Sequence, residues 1–167
     1  MKLVKISFIH VAVLLSLFLG ACTTAQKATA PAPAPAPAPV AEGDAYTGTD
    51  TVKFLADGVP DRVFFSTNKF NLTTAAVNSL NKQAAFLKAN ANLNVTVEGH
   101  ADERGTREYN LALGEKRANV VKDYLISNGI ASNRIKVVSY GKERPANPAS
   151  SALAWSQNRR SVTVRPN

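Results

Sequence analysis

Cysteine and histidine are scarce in this chain, which has one cysteine and two histidines among 167 residues. A single cysteine cannot form an intramolecular disulfide, and it excludes a cysteine-rich zinc module. Aromatic residues make up 7% of the sequence, and the 9 glycines and 9 prolines are too few for a collagen-like chain. The length suits one ordinary domain with accessory segments and is too short for two.

Acidic residues are also in short supply, since 12 Asp and Glu stand against 20 Lys and Arg, for a formal net charge of +8. Such an excess of base attracts nucleic acids, membrane surfaces and other anionic polymers. The basic residues are spread over predicted helix backs and loops and are not clustered with aromatics, which argues against nucleic-acid binding. Attraction to some other anionic polymer is left as a weak, salt-sensitive contribution.

The one long apolar run lies at the N terminus. Two lysines open the chain, and an apolar stretch over residues 8–19 follows. The small residues Gly20 and Ala21 come after Leu19, the last residue of this stretch. The order predicts a secretory signal peptide over residues 1–21, because the stretch is too short and wrongly flanked for a membrane-spanning helix. The alternative is an uncleaved anchor helix.

The single cysteine follows directly, in the sequence Leu19-Gly20-Ala21-Cys22. This tetrad resembles the lipobox of bacterial lipoproteins, in which the cysteine becomes the acylated first residue of the mature chain. A diacyl or triacyl terminus holds a protein firmly on a membrane, whereas one acyl chain does not. We therefore expect Cys22 to be lipidated. Thr23 in the next position favours the outer membrane, by analogy with lipoprotein sorting.

Residues 22–50 are predicted to form an acylated, Ala/Pro-rich flexible tether. Alternating Ala-Pro repeats over residues 30–39 favour the extended polyproline II conformation, which rises ~3.1 Å per residue. Such a tether would let a domain work at a distance from the membrane. The alternative is a Pro-rich docking peptide, but no Pro-x-x-Pro context with flanking charge supports it.

The remaining part of the chain, residues 51–167, is predicted to be one domain of strands and helices. Apolar runs or alternation predict four strands, within residues 61–66, 93–98, 134–140 and 161–165. Apolar residues at helical spacing predict two helices, residues 73–89 and 107–128. The order β-α-β-α-β-β describes an α+β fold, a two-layer sandwich with two helices packed on one face of a small mixed four-stranded sheet.

One charged residue interrupts the apolar face of the second predicted helix. On a helical wheel, Arg117 lies in the middle of a stripe formed by Leu113, Val120, Val121 and Tyr124. A guanidinium cannot be desolvated without partners, so Arg117 must pair with an acid, reach a cleft or do both. The alternative is an arginine that snorkels to solvent from the end of the stripe.

The loop before that helix, residues 98–106, supplies complementary charge. Its glycines permit unusual backbone angles and the close approach of a ligand. Ligands of α/β-type sheets commonly sit at the carboxyl ends of strands, where this loop lies. Asp102 accepts hydrogen bonds from an ammonium and Arg117 fits a carboxylate, so the pair suits a ligand that carries both groups.

The same loop also raises an enzymatic alternative. Glu98, His100 and Asp102 alternate and would suit a metal site or an acid–base set. After the predicted signal peptide, however, His100 is the only histidine, Cys22 is the only cysteine, and no serine lies in a Gly-x-Ser-x-Gly context. We therefore favour a structural histidine, hydrogen-bonded to hold the loop, and we expect no catalysis, metal or cofactor.

Several spaced motifs together resemble one family. In order they are Val63-Phe64-Phe65, Gly99-His100-Ala101-Asp102-Glu103-Arg104-Gly105-Thr106, Tyr109-Asn110-Leu111-Ala112-Leu113-Gly114, Arg117-Ala118, Ser139-Tyr140-Gly141-Lys142-Glu143 and Asn158-Arg159-Arg160. Over residues 61–165 the chain resembles the OmpA-like peptidoglycan-binding domain family. The resemblance implies a non-catalytic domain that binds the diaminopimelate of the peptidoglycan stem peptide and ties the periplasmic face of the outer membrane to the cell wall.

The resemblance also implies site residues and a protein partner. Asp102 and Arg117 would hold diaminopimelate, and the flanking contacts would be Arg104, Leu113, Ala118, Thr67 and Asn68. Relatives usually read Phe-Asp-Lys where this chain has Thr67-Asn68-Lys69, so Asn68 keeps an acceptor but loses a charge. The implied partner is a TolB-like periplasmic protein of the Tol system, on an overlapping face. A scaffold for the Tol machinery, with wall binding secondary, is the main alternative.

Overall fold

The computed structural model describes residues 43–49 and 53–166. The predicted signal peptide, Cys22 and most of the predicted tether lie outside these residues. Within the two described ranges, no helix combines the length and the apolar character needed to cross a membrane.

The described elements alternate between strands and helices. In chain order they are β1 (Phe54–Ala56), β2 (Val59–Pro60), β3 (Arg62–Phe64), α1 (Thr74–Ala89), β4 (Val95–His100), α2 (Arg107–Ser127), β5 (Ile135–Gly141), α3 (Ala152–Asn158) and β6 (Arg160–Val164). A single 3-10 turn, Ser132–Arg134, leads into β5. The elements that build the main sheet and its two long helices follow the predicted order.

The main sheet has four strands in the order β3-β6-β4-β5. Strand β6 pairs antiparallel with both β3 and β4, whereas β4 and β5 run parallel, with Val97 opposite Val137. The sheet is therefore mixed, as predicted. Its central strand β4 ends at His100, directly before the loop that the sequence singles out.

The hydrophobic core lies between this sheet and the two long helices. Buried apolar side chains come from α1, from α2 and from the strands, and include Leu80, Leu87, Val97, Val121 and Leu125. The predicted α+β sandwich, with two helices on one face of the sheet, is confirmed.

Local signals set the ends of the two long helices. The Thr73 side chain accepts a hydrogen bond from the Ala76 amide at 3.1 Å, and the Thr106 side chain accepts one from the Tyr109 amide at 3.2 Å. Both threonines thereby satisfy amide groups that a helix start leaves without partners. After α2, Gly129 adopts a φ of 88°, which a glycine reaches without steric cost.

A close backbone contact fixes α2 against β4. A Cβ atom on Gly99 would lie 1.8 Å from the carbonyl oxygen of Gly114, and a Cβ on Gly114 would lie 2.4 Å from the Ser139 hydroxyl. Only residues without a side chain fit on both sides of this crossing. The contact holds the N-terminal half of α2 close to the end of β4.

The strands β1 and β2 and the helix α3 were not predicted. The hairpin of β1 and β2 turns at Gly58, which has a φ of 69°, and it forms a separate two-stranded sheet. The short helix α3 lies between the third and fourth predicted strands, and its start is capped by the Ser151 hydroxyl. At 7 residues, α3 is too short to show a helical period in the sequence.

The last part of the predicted tether, residues 43–49, contacts the domain. The ring of Tyr46 packs edge-on against Phe64, with 4.9 Å between ring centroids. The Asp44 carboxylate accepts a hydrogen bond from the Thr67 amide at 2.8 Å. These seven residues therefore bring side chains from outside the predicted domain to the loop that follows β3.

Candidate functional site

Arg117 is the largest of the fully buried side chains among the described residues, with 0% of its surface exposed. Its Nε donates to the carbonyl oxygen of Lys69 at 2.9 Å, Nη1 to that of His100 at 2.8 Å and Nη2 to that of Ser66 at 3.2 Å. The helical wheel placed Arg117 correctly on the inward face. The sequence left open an acid partner, a cleft or both; the structure shows three backbone carbonyls as hydrogen-bond partners, and burial rules out the snorkelling alternative.

The surroundings of Arg117 lower its pKa but leave the guanidinium protonated at neutral pH. Burial, with the nearby charge of Arg159, lowers the pKa of Arg117 to about 10, and the charge of Asp102 partly opposes this shift. The guanidinium carbon also lies 5.2 Å from the ring centroid of Phe65. Arg117 is therefore a buried cation at neutral pH, fastened to two loops.

Asp102 lies at the mouth of the same region, with 7% of its surface exposed. Arg104 donates to its carboxylate from Nε at 3.1 Å and from Nη2 at 2.7 Å, and Nη1 of Arg159 lies 3.5 Å away. Burial alone would raise the pKa of Asp102, but the hydrogen bonds and charges of these arginines outweigh it and lower that pKa. Asp102 is therefore held as a carboxylate.

Arg104 has one face toward Asp102 and another toward solvent. Its side chain is 42% exposed, and its guanidinium carbon lies 4.4 Å from the ring centroid of Trp155, a cation–π contact. Trp155 in turn donates from Nε1 to the Glu103 carboxylate at 2.8 Å. Hydrogen bonds from Trp155 and Ser150 lower the pKa of Glu103. Through Trp155, helix α3 thereby stabilises the loop over residues 101–106.

A surface cleft of about 280 Å³ lies between the loop after β3 and the loop before α2. Its lining brings together three of the predicted contact residues with two others, and consists of Thr67, Asn68, Arg104, Gly105 and Tyr109. Asn68 is exposed and adopts a φ of 55°, a left-handed conformation that asparagine tolerates better than most residues. Asp102 adjoins this cleft through its ion pair with Arg104.

The two predicted contacts on α2 lie deeper. Leu113 is 7% exposed, whereas Ala118 is 0% exposed and belongs to the hydrophobic core. Ala118 stays a predicted ligand contact that, like Arg117, has no exposed surface. One residue after Arg117 on the helix, its methyl group faces the core and supports the packing of α2.

His100 is buried, but it does not hold the loop with its ring. Within the described residues neither ring nitrogen has a hydrogen-bond partner, and the nearest acid is Glu98, 3.5 Å from Nε2. Burial, together with the charges of Arg160 and Arg62, lowers the pKa of His100 to about 3. The prediction of a hydrogen-bonded imidazole is corrected, since His100 binds Arg117 through its backbone carbonyl.

Two residues of this region escaped the sequence-based list of site residues. Arg159, buried at the end of α3, donates from Nε to the Phe65 carbonyl at 2.9 Å and lies near both Asp102 and Asp44. Asp44 comes from the segment before β1. In the sequence, Arg159 stands out only as part of the motif Asn158-Arg159-Arg160. No local pattern connects Arg159 or Asp44 to the cleft.

In residues 43–49 and 53–166, no cluster of three or more His, Cys, Asp or Glu side chains has the arrangement to hold a metal ion. Beside the cleft lie the buried Asp102 carboxylate, the buried guanidinium groups of Arg117 and Arg159, and backbone carbonyls that accept from them. Such a set can bind a zwitterionic group by ion pairs and hydrogen bonds.

Comparison with protein families matches residues 64–159 to the OmpA family. A peptidoglycan-associated lipoprotein of Rhizobium meliloti (strain 1021) is 51% identical over 106 residues, which cover 64% of this chain and 60% of that relative. A protein of the same name from Agrobacterium fabrum is 43% identical over 154 residues, which cover 92% of this chain and 85% of the relative. The match therefore spans less than two thirds of the Rhizobium protein and most of the Agrobacterium protein.

Solved structures share the fold. The crystal structure of the peptidoglycan-associated lipoprotein from Burkholderia pseudomallei aligns with a TM-score of 0.62 and 35% identity, over 64% of this chain and 90% of that one. The C-terminal domain of Helicobacter pylori MotB aligns with a TM-score of 0.60 over 64% of this chain and 84% of that one. Its 20% identity supports likeness of fold alone.

Proposed function

This chain belongs to the OmpA family, and we propose that it is a lipoprotein that binds peptidoglycan non-covalently and ties the outer membrane to the cell wall. The relatives named peptidoglycan-associated lipoprotein support the wall-binding role. The observation that carries the proposal is the carboxylate of Asp102, held ionised by arginines beside an open cleft.

The proposed ligand group is the diaminopimelate side chain of the stem peptide, which ends in both an ammonium and a carboxylate. Arg104 already donates three hydrogen bonds to the Asp102 carboxylate, and Arg159 lies 3.5 Å away, so the ammonium would take the remaining acceptor position or displace one of these donors. Thr67, Asn68 and the exposed side of Arg104 would line the path of the peptide through the cleft.

Arg117 is proposed to take the carboxylate. The three hydrogen bonds to carbonyls use three of the five N–H groups of its guanidinium. Because Arg117 has no exposed surface, the loop after β3 must move for a ligand to reach it. The contact to Ser66, at 3.2 Å, is the longest of the three and would yield first.

The N-terminal part of the proposal concerns location. The signal peptide over residues 1–21, the acylated Cys22 and the tether that follows would place the domain on the periplasmic face of the outer membrane. The domain would then reach the wall while remaining anchored. A TolB-like partner of the Tol system would use an overlapping face, so wall and partner would compete, as expected of a protein that acts in envelope integrity and cell division.

Sedimentation with purified sacculi tests the proposed function. The full chain, purified in detergent, is expected to pellet with sacculi, and Asp102→Ala and Arg117→Ala are expected to remain in the supernatant. Lys116→Ala is a matched control, since Lys116 is exposed on the same helix, next to Arg117. Failure of the wild type to pellet would overturn wall binding, and undiminished pelleting of both variants would overturn the proposed clamp.

A further inference from the structure

Asp44 lies outside the region that matches the OmpA family, which begins at residue 64, and it contacts Thr67 in the lining of the cleft. Its carboxylate accepts from the Thr67 amide at 2.8 Å and also from the Thr67 hydroxyl. The same carboxylate lies 3.1 Å from Nη2 of Arg159, and Nη2 also donates to the Asp44 carbonyl. Asp44 is thus bound to the loop after β3 and to the end of α3 at once.

These contacts close a ring of five side chains beside the cleft. Asp44 binds Thr67, whose hydroxyl accepts from Arg104 at 3.4 Å. Arg104 binds Asp102, Asp102 lies 3.5 Å from Arg159, and Arg159 returns to Asp44. Each arginine in this ring therefore has a hydrogen-bond or ion-pair partner on both sides, and Asp102 is one link in the ring.

We propose that Asp44 is a positioning residue for ligand binding, which acts through Thr67 and Arg159 to keep Asp102 available to a cationic ligand group. This inference rests on the proposed function, because it concerns the same cleft.

The reasoning follows the charge of Arg159. Arg159 is buried, and a buried guanidinium needs anionic or carbonyl partners. Asp44 neutralises part of that charge, and Nη1 of Arg159 then lies 3.5 Å from the Asp102 carboxylate. Without the Asp44 carboxylate, Asp102 would be the remaining carboxylate within 4 Å of Arg159 among the described residues. It would then be drawn toward Arg159 and away from the ligand.

The Thr67 amide gives a second consequence. Its hydrogen bond to Asp44 helps to fix the backbone next to Ser66, whose carbonyl accepts from Arg117. Removal of the Asp44 side chain would release this backbone at the point where the proposed ligand enters. The Thr67 hydroxyl, which accepts a hydrogen bond from Arg104, would also lose the carboxylate that orients it.

The test compares Asp44→Ala, Asp44→Glu and Asp57→Asn in the full chain, purified in detergent and titrated with a diaminopimelate-containing tripeptide. Asp57 is an exposed acid in the β1–β2 turn and serves as the charge-matched control. Because Asp44 is 56% exposed, we expect Asp44→Ala to bind roughly three- to tenfold more weakly, the range for a partly screened charge-assisted contact. Asp44→Glu should recover most of that loss and Asp57→Asn should match the wild type.

Hydrogen exchange of the Thr67 amide tests the contact with Asp44 separately from ligand binding, because the measurement needs no ligand. Faster exchange in Asp44→Ala, together with weaker binding and rescue by Asp44→Glu, supports the positioning role. Unchanged tripeptide affinity in Asp44→Ala, or equal loss in Asp44→Glu, overturns it. If the wild type binds no tripeptide, the proposed function fails, and the exchange rate still reports whether Asp44 holds Thr67.

Discussion

Nη1 of Arg117 lies 2.8 Å from the carbonyl oxygen of His100, so a buried cation on α2 fastens the end of strand β4. The same guanidinium holds the loop after β3 through Ser66 and Lys69. One side chain thus joins the two loops that flank the cleft. Arg117 has a structural task in the unliganded domain, in addition to its proposed contact with a carboxylate.

Replacement of Arg117 by leucine is expected to destabilise the domain. The change removes the three hydrogen bonds that Arg117 donates to the carbonyls of Lys69, His100 and Ser66, of which the Ser66 carbonyl still accepts from the Lys69 amide. We expect the free energy of unfolding to fall by about 3 kcal/mol, the scale for loss of one partner from a buried charged network. Urea denaturation measures this loss. Lys116→Leu, exposed on the same helix, should change stability by no more than about 0.5 kcal/mol, and a similarly small change in Arg117→Leu would contradict the structure.

Gly99→Ala should be among the most damaging small substitutions. The added methyl group would meet the carbonyl oxygen of Gly114 at 1.8 Å, so α2 would have to move away from β4. We expect a loss of roughly 3 kcal/mol in the free energy of unfolding, measured by thermal or urea denaturation. Gly58→Ala is the control, because a Cβ there meets open space and only the positive φ costs about 1 kcal/mol. Equal losses in the two variants would refute the close crossing.

His100 should make the stability of the domain depend on pH. Its pKa is lowered from 6.5 to about 3 in the folded chain, so the unfolded chain binds a proton first as the pH falls. The stabilising contribution is complete above pH 6.5 and is lost progressively toward pH 3. Relative to His100→Gln, the wild type should lose up to about 2 kcal/mol between pH 6.5 and pH 5. Urea denaturation at both pH values checks this, and parallel pH profiles would contradict it.

Much of the fold was predictable because its signals are local. Helix α1 begins after Thr73 and α2 ends before Gly129, where the cap residues stand in the sequence. The inward position of Arg117 followed from helical periodicity alone. These features depend on neighbours within a few turns of the same helix.

The composition of the site was less predictable because its contacts join distant parts of the chain. Asp44 and Arg159 are separated by 115 residues, and no pattern in either segment indicates that they meet. The carbonyl partners of Arg117 could not be predicted either, since every residue carries a carbonyl and only the loop path selects Ser66, Lys69 and His100.

Lipid anchoring through Cys22 can be tested independently of binding to the cell wall. If Cys22 is the acylated first residue of the mature chain, Cys22→Ser should abolish fatty-acid labelling and release the protein from membranes. Metabolic labelling with a radioactive fatty acid, followed by membrane fractionation, measures both effects. Labelling retained in the Cys22→Ser variant would refute the assignment, whereas an unlabelled wild type would show that the chain is not a lipoprotein.

The central claim is that Asp102 recognises the ammonium of diaminopimelate, and the most direct measurement is calorimetric titration of Asp102→Asn. The amide keeps the shape of the side chain but removes the charge that Arg104 and Arg159 hold in place. With a diaminopimelate-containing tripeptide, we expect at least tenfold weaker binding than in the wild type, about 1.4 kcal/mol or more. Wild-type affinity in Asp102→Asn would contradict the account.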